Sequence, residues 1–296
     1  MQLFHKDRVV PFISFLLCIL LGYPLFVKSS LAHPTFEIRI GRVNAKIKKD
    51  PKNAKLYLKR GDLYREHESW DAALADFNRS RAINPGLVDI DLSIAELWLD
   101  AKEPKKALEA LNQYLGNKPG SPEGLSQRAR AYVALGNFEA AVKDFDKAIT
   151  NIQTPSPDLY VERARCSMKL GSEHLEKTHR DLEEGIKHLG PIVTLVEVLV
   201  DIDQKRARYK EALEHIDSLP PILKEQAKWL MRRGDLHGDK KEPSKAEKAY
   251  KQALSKIAQL PPRRREVKAV KALKEEIDGK LTALILLTAK TEHALR

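Results

Sequence analysis

Side chains able to do chemistry are few in this sequence, and they are scattered. His174, His179 and His188 fall in one stretch, but intervals of five and nine residues do not set them on one helical face, so they read as solvent-exposed rather than as ligands. His33 could offer an amine and a ring to copper only at a new N-terminus, and no second ligand can be assigned to it. There is no glycine-rich phosphate loop, no cysteine pair at metal spacing, no Gly-x-Ser-x-Gly elbow and no His-Glu-x-x-His pair. The expectation is a chain that is not an enzyme, with no catalytic residues, no cofactor and no metal.

The first residues carry a different signal. Lys6 and Arg8 precede an apolar run from Val9 to Val27, and Ser30 and Ala32 then put small residues where a signal peptidase cleaves. Residues 1–32 read as a cleaved signal peptide, which predicts a periplasmic or secreted protein. The rival reading keeps residues 9–27 as an inner-membrane anchor, but Pro11, Gly22 and Pro24 interrupt the run. Cys18 follows Leu16-Leu17, which disfavours a lipoprotein signal. Cleavage would leave Cys166 as the sole thiol and no internal disulfide. Residues 1–32 contribute +2 to the formal charge of +11, so the mature chain keeps +9 and favours acidic neighbours. Export argues against a nucleic-acid partner.

What positions any recognition residue is a repeat. Shifting the sequence by 34 aligns Gly61, Ala95 and Ala129; Tyr64, Trp98 and Tyr132; Ala73, Ala107 and Ala141; Phe77, Leu111 and Phe145; and Pro85 with Pro119. The period returns at Thr178, Ala212 and Ala246 after two extra residues following Gly171 and one near Thr154–Pro157. Apolar residues in each unit fall into two helical stripes, and Pro85 ends the second. Gly61 and Ala73 lie where the paired helices must approach closely. The expectation is an all-α solenoid of about six antiparallel helix pairs: a lead-in at residues 33–53, an array at 54–260 with units beginning near Ala54, Val88, Pro122, Pro157, Val193 and Ala227, and a capping helix at 261–296. Thr282–Leu287 is more apolar than a cap needs, so a homo-oligomer contact there is a second expectation.

The columns at Gly61, Tyr64, Ala73, Phe77 and Pro85 resemble the tetratricopeptide repeat over about residues 54–260, with Ser167 and Asp203 departing from the aromatic column. In that family the first helices line a concave surface that grips a peptide or a helix. The resemblance therefore implies a protein or peptide partner, and it puts Asp62, Glu96, Arg130, Arg165, Asp201 and Asp235 on that surface. One reading is a groove floored by Leu92, Leu99, Val133, Val161 and Met168, with Arg130 and Arg165 at its centre to take a carboxylate of an acidic partner. The other pairs Glu96 with Arg130 and Asp201 with Arg165 across units, which needs no ligand. Arg60, Arg128, Arg163 and Arg233, each just before the small residue, read as solvated packing arginines. Some members clamp a C-terminal carboxylate with Lys and Asn in the first two units; Asp62 and Glu96 stand here instead, so that activity is not expected.

Overall fold

Proline at the first position starts several of the helices, because its fixed φ suits that turn and no N–H is lost there. The computed structural model describes residues 34–294; the signal-like segment, Cys18 and His33 lie outside the described residues. The chain opens with α1 (Pro34–Lys49). Six pairs follow: α2 (Ala54–Glu66) with α3 (Trp70–Ile83), α4 (Asp89–Asp100) with α5 (Pro104–Asn117), and α6 (Pro122–Ala134) with α7 (Phe138–Thr150). Then come α8 (Pro157–Leu170) with α9 (Leu175–Leu189), α10 (Val193–Lys205) with α11 (Tyr209–Ser218), and α12 (Ala227–Asp239) with α13 (Pro243–Ala258). The long α14 (Lys268–Ala294) ends the array. Each helix packs on its pair-mate and on the following unit, giving an all-α solenoid.

The turn inside each unit repeats as faithfully as the helices. Glu68, Lys102, Gly136, Gly171, Ala207 and Lys241 all take positive φ, and four of these six are not glycine. In five units the turn is a Schellman cap: Ser69 N–H donates to the Tyr64 carbonyl at 2.9 Å and Glu68 N–H to that of Arg65 at 2.9 Å, and the same pair of bonds recurs at Trp98, Tyr132, Asp203 and His237. The two residues inserted after Gly171 are accommodated in a short 3-10 turn, Ser172–His174.

Small residues seat the pairs. A Cβ on Gly61 would meet Phe77 Cε1 at 2.5 Å, and one on Gly234 would meet Tyr250 Cε1 at 2.4 Å. Ala73, Ala95, Ala107, Ala129, Ala141, Ala212 and Ala246 are fully buried in the same seams, beside Phe77, Leu111 and Phe145.

Both ends of the array are covered. The lead-in is itself a helix: Ile40 and Val43 of α1 bury against Leu63, and Phe36 stacks on His67 at 3.9 Å. At the other end Ile277 of α14 is fully buried against Tyr250 and Ile257, with Val270, Leu273, Leu281 and Leu284 along the same stripe. Ile285 and Leu286, one turn further on, stay exposed. Among the described residues no helix is long and apolar enough to cross a membrane.

Candidate functional site

The first helices carry a ladder of charges from unit to unit, because side chains 31 to 35 residues apart meet across adjacent first helices. Arg65 reaches Glu96 at 2.9 Å and Asp100 at 2.6 Å. Gln127 donates to Glu96 at 3.2 Å, and Arg130 grips Glu162 through Nε at 2.8 Å and Nη2 at 3.0 Å. Arg232 pairs with Asp201, Lys228 with Glu197 at 2.7 Å, and Gln204 with Asp239 at 2.7 Å. Asp235 accepts from Lys280 of the terminal helix and from the Tyr250 hydroxyl, each at 2.8 Å.

The pairings expected across the groove are therefore corrected. Glu96 answers Arg65 rather than Arg130, and Asp201 answers Arg232 rather than Arg165. The reason is reach: each acid is met by an arginine one turn along the neighbouring helix, not by the residue at its own register. Arg165 is left exposed, and among the described residues it makes no hydrogen bond or ion pair. Asp62 is half-buried with one unpartnered oxygen, and burial pushes its carboxyl up.

The apolar floor is thinner than the sequence suggests. Val161 is core, packed with Leu182 and Leu199, while Leu92, Leu99 and Met168 are half-buried against core clusters. Val133 is the exposed member, one turn beyond Arg130, with Leu135 exposed beside it.

The arginines preceding each small residue are engaged in ion pairs rather than free in solvent, and their partners recur. Arg60 holds Asp76 of its own unit at 2.6 and 2.7 Å and Asn44 of the preceding helix at 2.7 Å. Arg128 holds Asp144 at 2.6 and 2.9 Å and Asn112 at 3.0 Å. Arg163, buried, joins Asp146 to Asp181 in the same two directions, and Arg233 reaches back to Asp217. Each arginine thus ties its own second helix, the preceding one, or both. The signal was present in the sequence as Asn or Asp 16 or 17 residues before the arginine and Asp 16 or 18 after it. Beside Arg163 a polar cleft of about 650 Å³ opens between α7 and α9, lined also by Lys177, Glu184 and His188.

His174 and His188 are exposed, as expected, but His179 is buried beside Asp203. The adjacent Asp203 carboxylate holds the His179 imidazole above its ordinary range, against the opposing effect of burial. Asp203 stands in the aromatic column, where the sequence departs from its own repeat.

Family comparison agrees with the geometry. Models described as tetratricopeptide repeat match residues 58–122 and 122–153. Residues 58–153 are tetratricopeptide repeats. Solved tetratricopeptide structures share the fold at low identity. The C-terminal part of a repeat protein from Cytophaga hutchinsonii superposes with a TM-score of 0.63 at 14% identity, covering 79% of this chain and 95% of that one. Pseudomonas aeruginosa PilF gives 0.55 at 14%, covering 78% and 98%. YrrB, described as having an unusual peptide-binding site, gives 0.51 at 16%, covering 62% and 93%. No curated protein matches the chain in sequence. Tetratricopeptide repeats are protein–protein interaction modules, and this array is a scaffold of that kind.

Proposed function

We propose that this tetratricopeptide protein is an exported, non-enzymatic scaffold that holds an acidic or C-terminal peptide segment on its first-helix face, with Arg165 as the group that meets the carboxylate. The observation that carries the reading is the contrast in charge engagement. Glu96, Arg130, Asp201 and Asp235 are each satisfied within the array, whereas Arg165 is exposed with its donors unused. Val133 and Met168 offer apolar surface on the same face, with Leu99 and Asp62 toward the N-terminal end. A guanidinium can take a carboxylate through two parallel hydrogen bonds, which fixes the peptide's orientation as well as its place. The peptide-binding site named for YrrB supports the kind of partner, not its identity.

Binding is tested with a panel of fluorescent peptides bearing acidic or amidated C-termini. Arg165→Glu should weaken the best acidic binder by several kcal/mol if the contact is desolvated, while leaving thermal stability nearly unchanged. Arg130→Glu faces Glu162 and should cost stability as well. Unchanged affinity in Arg165→Glu removes the carboxylate reading. Export is tested by intact mass: a mature chain starting at His33 supports it, and retention of Met1 in a membrane fraction supports the anchored alternative.

A further inference from the structure

Three helices bring two imidazoles and a carboxylate together at the junction of the fourth and fifth units. His179 comes from α9, Asp203 from α10 and His215 from α11, and one donor atom from each lies within 4.8 Å of the others. His179 Nε2 stands 2.9 Å from Asp203 Oδ1, and His215 Nε2 stands 3.3 Å from Oδ2. Yet His179 Nε2 and both Asp203 oxygens, all buried, have no partner in hydrogen-bond alignment. Buried polar atoms are rarely left so, since each costs about 1–3 kcal/mol. Three donors close together, but not aimed along hydrogen bonds to one another, fit a cation between them better than a pairwise network.

We propose that His179, Asp203 and His215 bind one divalent transition-metal ion of the zinc class. Two imidazoles with one carboxylate is a donor set suited to zinc, cobalt or nickel, and not to magnesium or calcium, which take oxygen ligands. Metal–donor distances of about 2.0–2.2 Å place neighbouring donors about 3–3.5 Å apart around the ion; each imidazole here stands 2.9 or 3.3 Å from one Asp203 oxygen, and the set closes within 4.8 Å. Glu183 Oε2 lies 3.3 Å from His179 Nδ1, so it can accept a hydrogen bond from Nδ1–H and fix the tautomer that leaves Nε2 free to ligate. The nearby cations Arg206 and Arg208 are both drawn onto Glu176, which lessens their repulsion of a metal. Among the described residues no fourth ligand completes the set, so a water or a partner's side chain would occupy that position. His215 is the most exposed of the three and marks the way in.

The ion would have a structural task. Asp203 replaces the aromatic that fills this column in the first three units, and His215 stands where Asp76 and Asp144 meet their arginines. A metal at this point ties three helices together in a unit that has neither an aromatic nor an arginine tie.

The test titrates the chelator-stripped full chain with Zn²⁺ and Co²⁺ by calorimetry and absorption. One ion per chain is expected, with the ligand-field bands of a low-coordinate cobalt site and a higher melting temperature on saturation. His215→Gln should abolish tight binding and the melting shift. Glu183→Gln, at a half-exposed position, should weaken binding by about 10-fold or more while leaving the fold intact. Should His215→Gln not fold, histidine footprinting of the wild type decides: Zn²⁺ must protect His215, the accessible member of the set, from acylation and leave His174 and His188 reactive. Absence of stoichiometric binding, full binding retained in folded His215→Gln, or protection at His174 and His188 instead would each overturn the assignment.

Discussion

Units one and three and units four and five are built on the same helix pair yet solve its interior differently. In units one and three an aromatic, Tyr64 or Tyr132, wedges the seam, and an arginine binds a buried aspartate of the second helix in bidentate fashion. In unit four the aromatic becomes the buried Ser167, and Arg163 serves two acids at once. In unit five the aromatic becomes Asp203 and the arginine becomes Leu199, while His215 takes the acid's place. The 34-residue period preserves backbone geometry, so the interior chemistry is free to change wherever another device holds the seam. Departures from the repeat therefore mark places where a different physical solution operates.

The sharpest way to break the comparison is at the end of the array. Deleting residues 263–296 strips the cover from Leu230, Met231, Tyr250 and Ile257. Segment-resolved hydrogen exchange should show α12 and α13 losing most protection while α2 to α7 keep theirs, because each unit leans only on its neighbours. Uniform loss along the chain would contradict the quasi-linear picture.

Next in size is the arginine tie. Arg128→Ala abandons the buried Asp144 carboxylate and should cost about 2–4 kcal/mol, measured by urea unfolding. Arg165→Ala, with no partner to abandon, should cost less than about 0.5 kcal/mol. Equal losses would mean that the two arginines do the same job. Gly234→Ala comes third, at about 1–3 kcal/mol, because its Cβ would stand 2.4 Å from a ring carbon of Tyr250 that packs against the terminal helix.

Cys166 probes the interior of unit four. Burial pushes its thiol up to about 11. The native chain then holds a proton between pH 9 and 11 that the unfolded chain has released, so stability should fall as pH rises through that window. Alkylation of the native thiol at pH 8 should be roughly 100-fold slower than in the denatured chain on thiolate fraction alone. The smallest effect is at the turn: Ala207→Gly relieves a left-handed φ of 56° and should stabilise unit five by about 1 kcal/mol, whereas the same change outside the turns destabilises.

Helix pairing was legible in the sequence because shape columns such as Gly61 with Phe77 must recur wherever two helices touch at the same register. The helix in the lead-in was not read from the sequence: Phe36, Ile40, Val43 and Ile47 form its stripe, but it precedes the first full unit and falls outside the period. Nor were the groove pairings. Arg65 and Arg130 each choose among several acids within reach, and side-chain length rather than column identity decides. His179, Asp203 and His215 meet through the stacking of three helices, at intervals of 24 and 12 residues that no single helical face produces. A histidine reading confined to one helix misses them.

The arginine ties have a mechanical consequence. They stand in units one, three, four and six, while units two and five carry Ile94 and Leu199 at that position. Bidentate and bridging ion pairs resist sliding of one helix past another, whereas an apolar seam yields to shear. Uneven stiffness along the rod is the expected result, with the seam of unit two, where Ile94 replaces the arginine, yielding first. On the proposed function, a peptide laid along the array would bend it most readily at unit two, while Arg165, in the tied fourth unit, keeps its place.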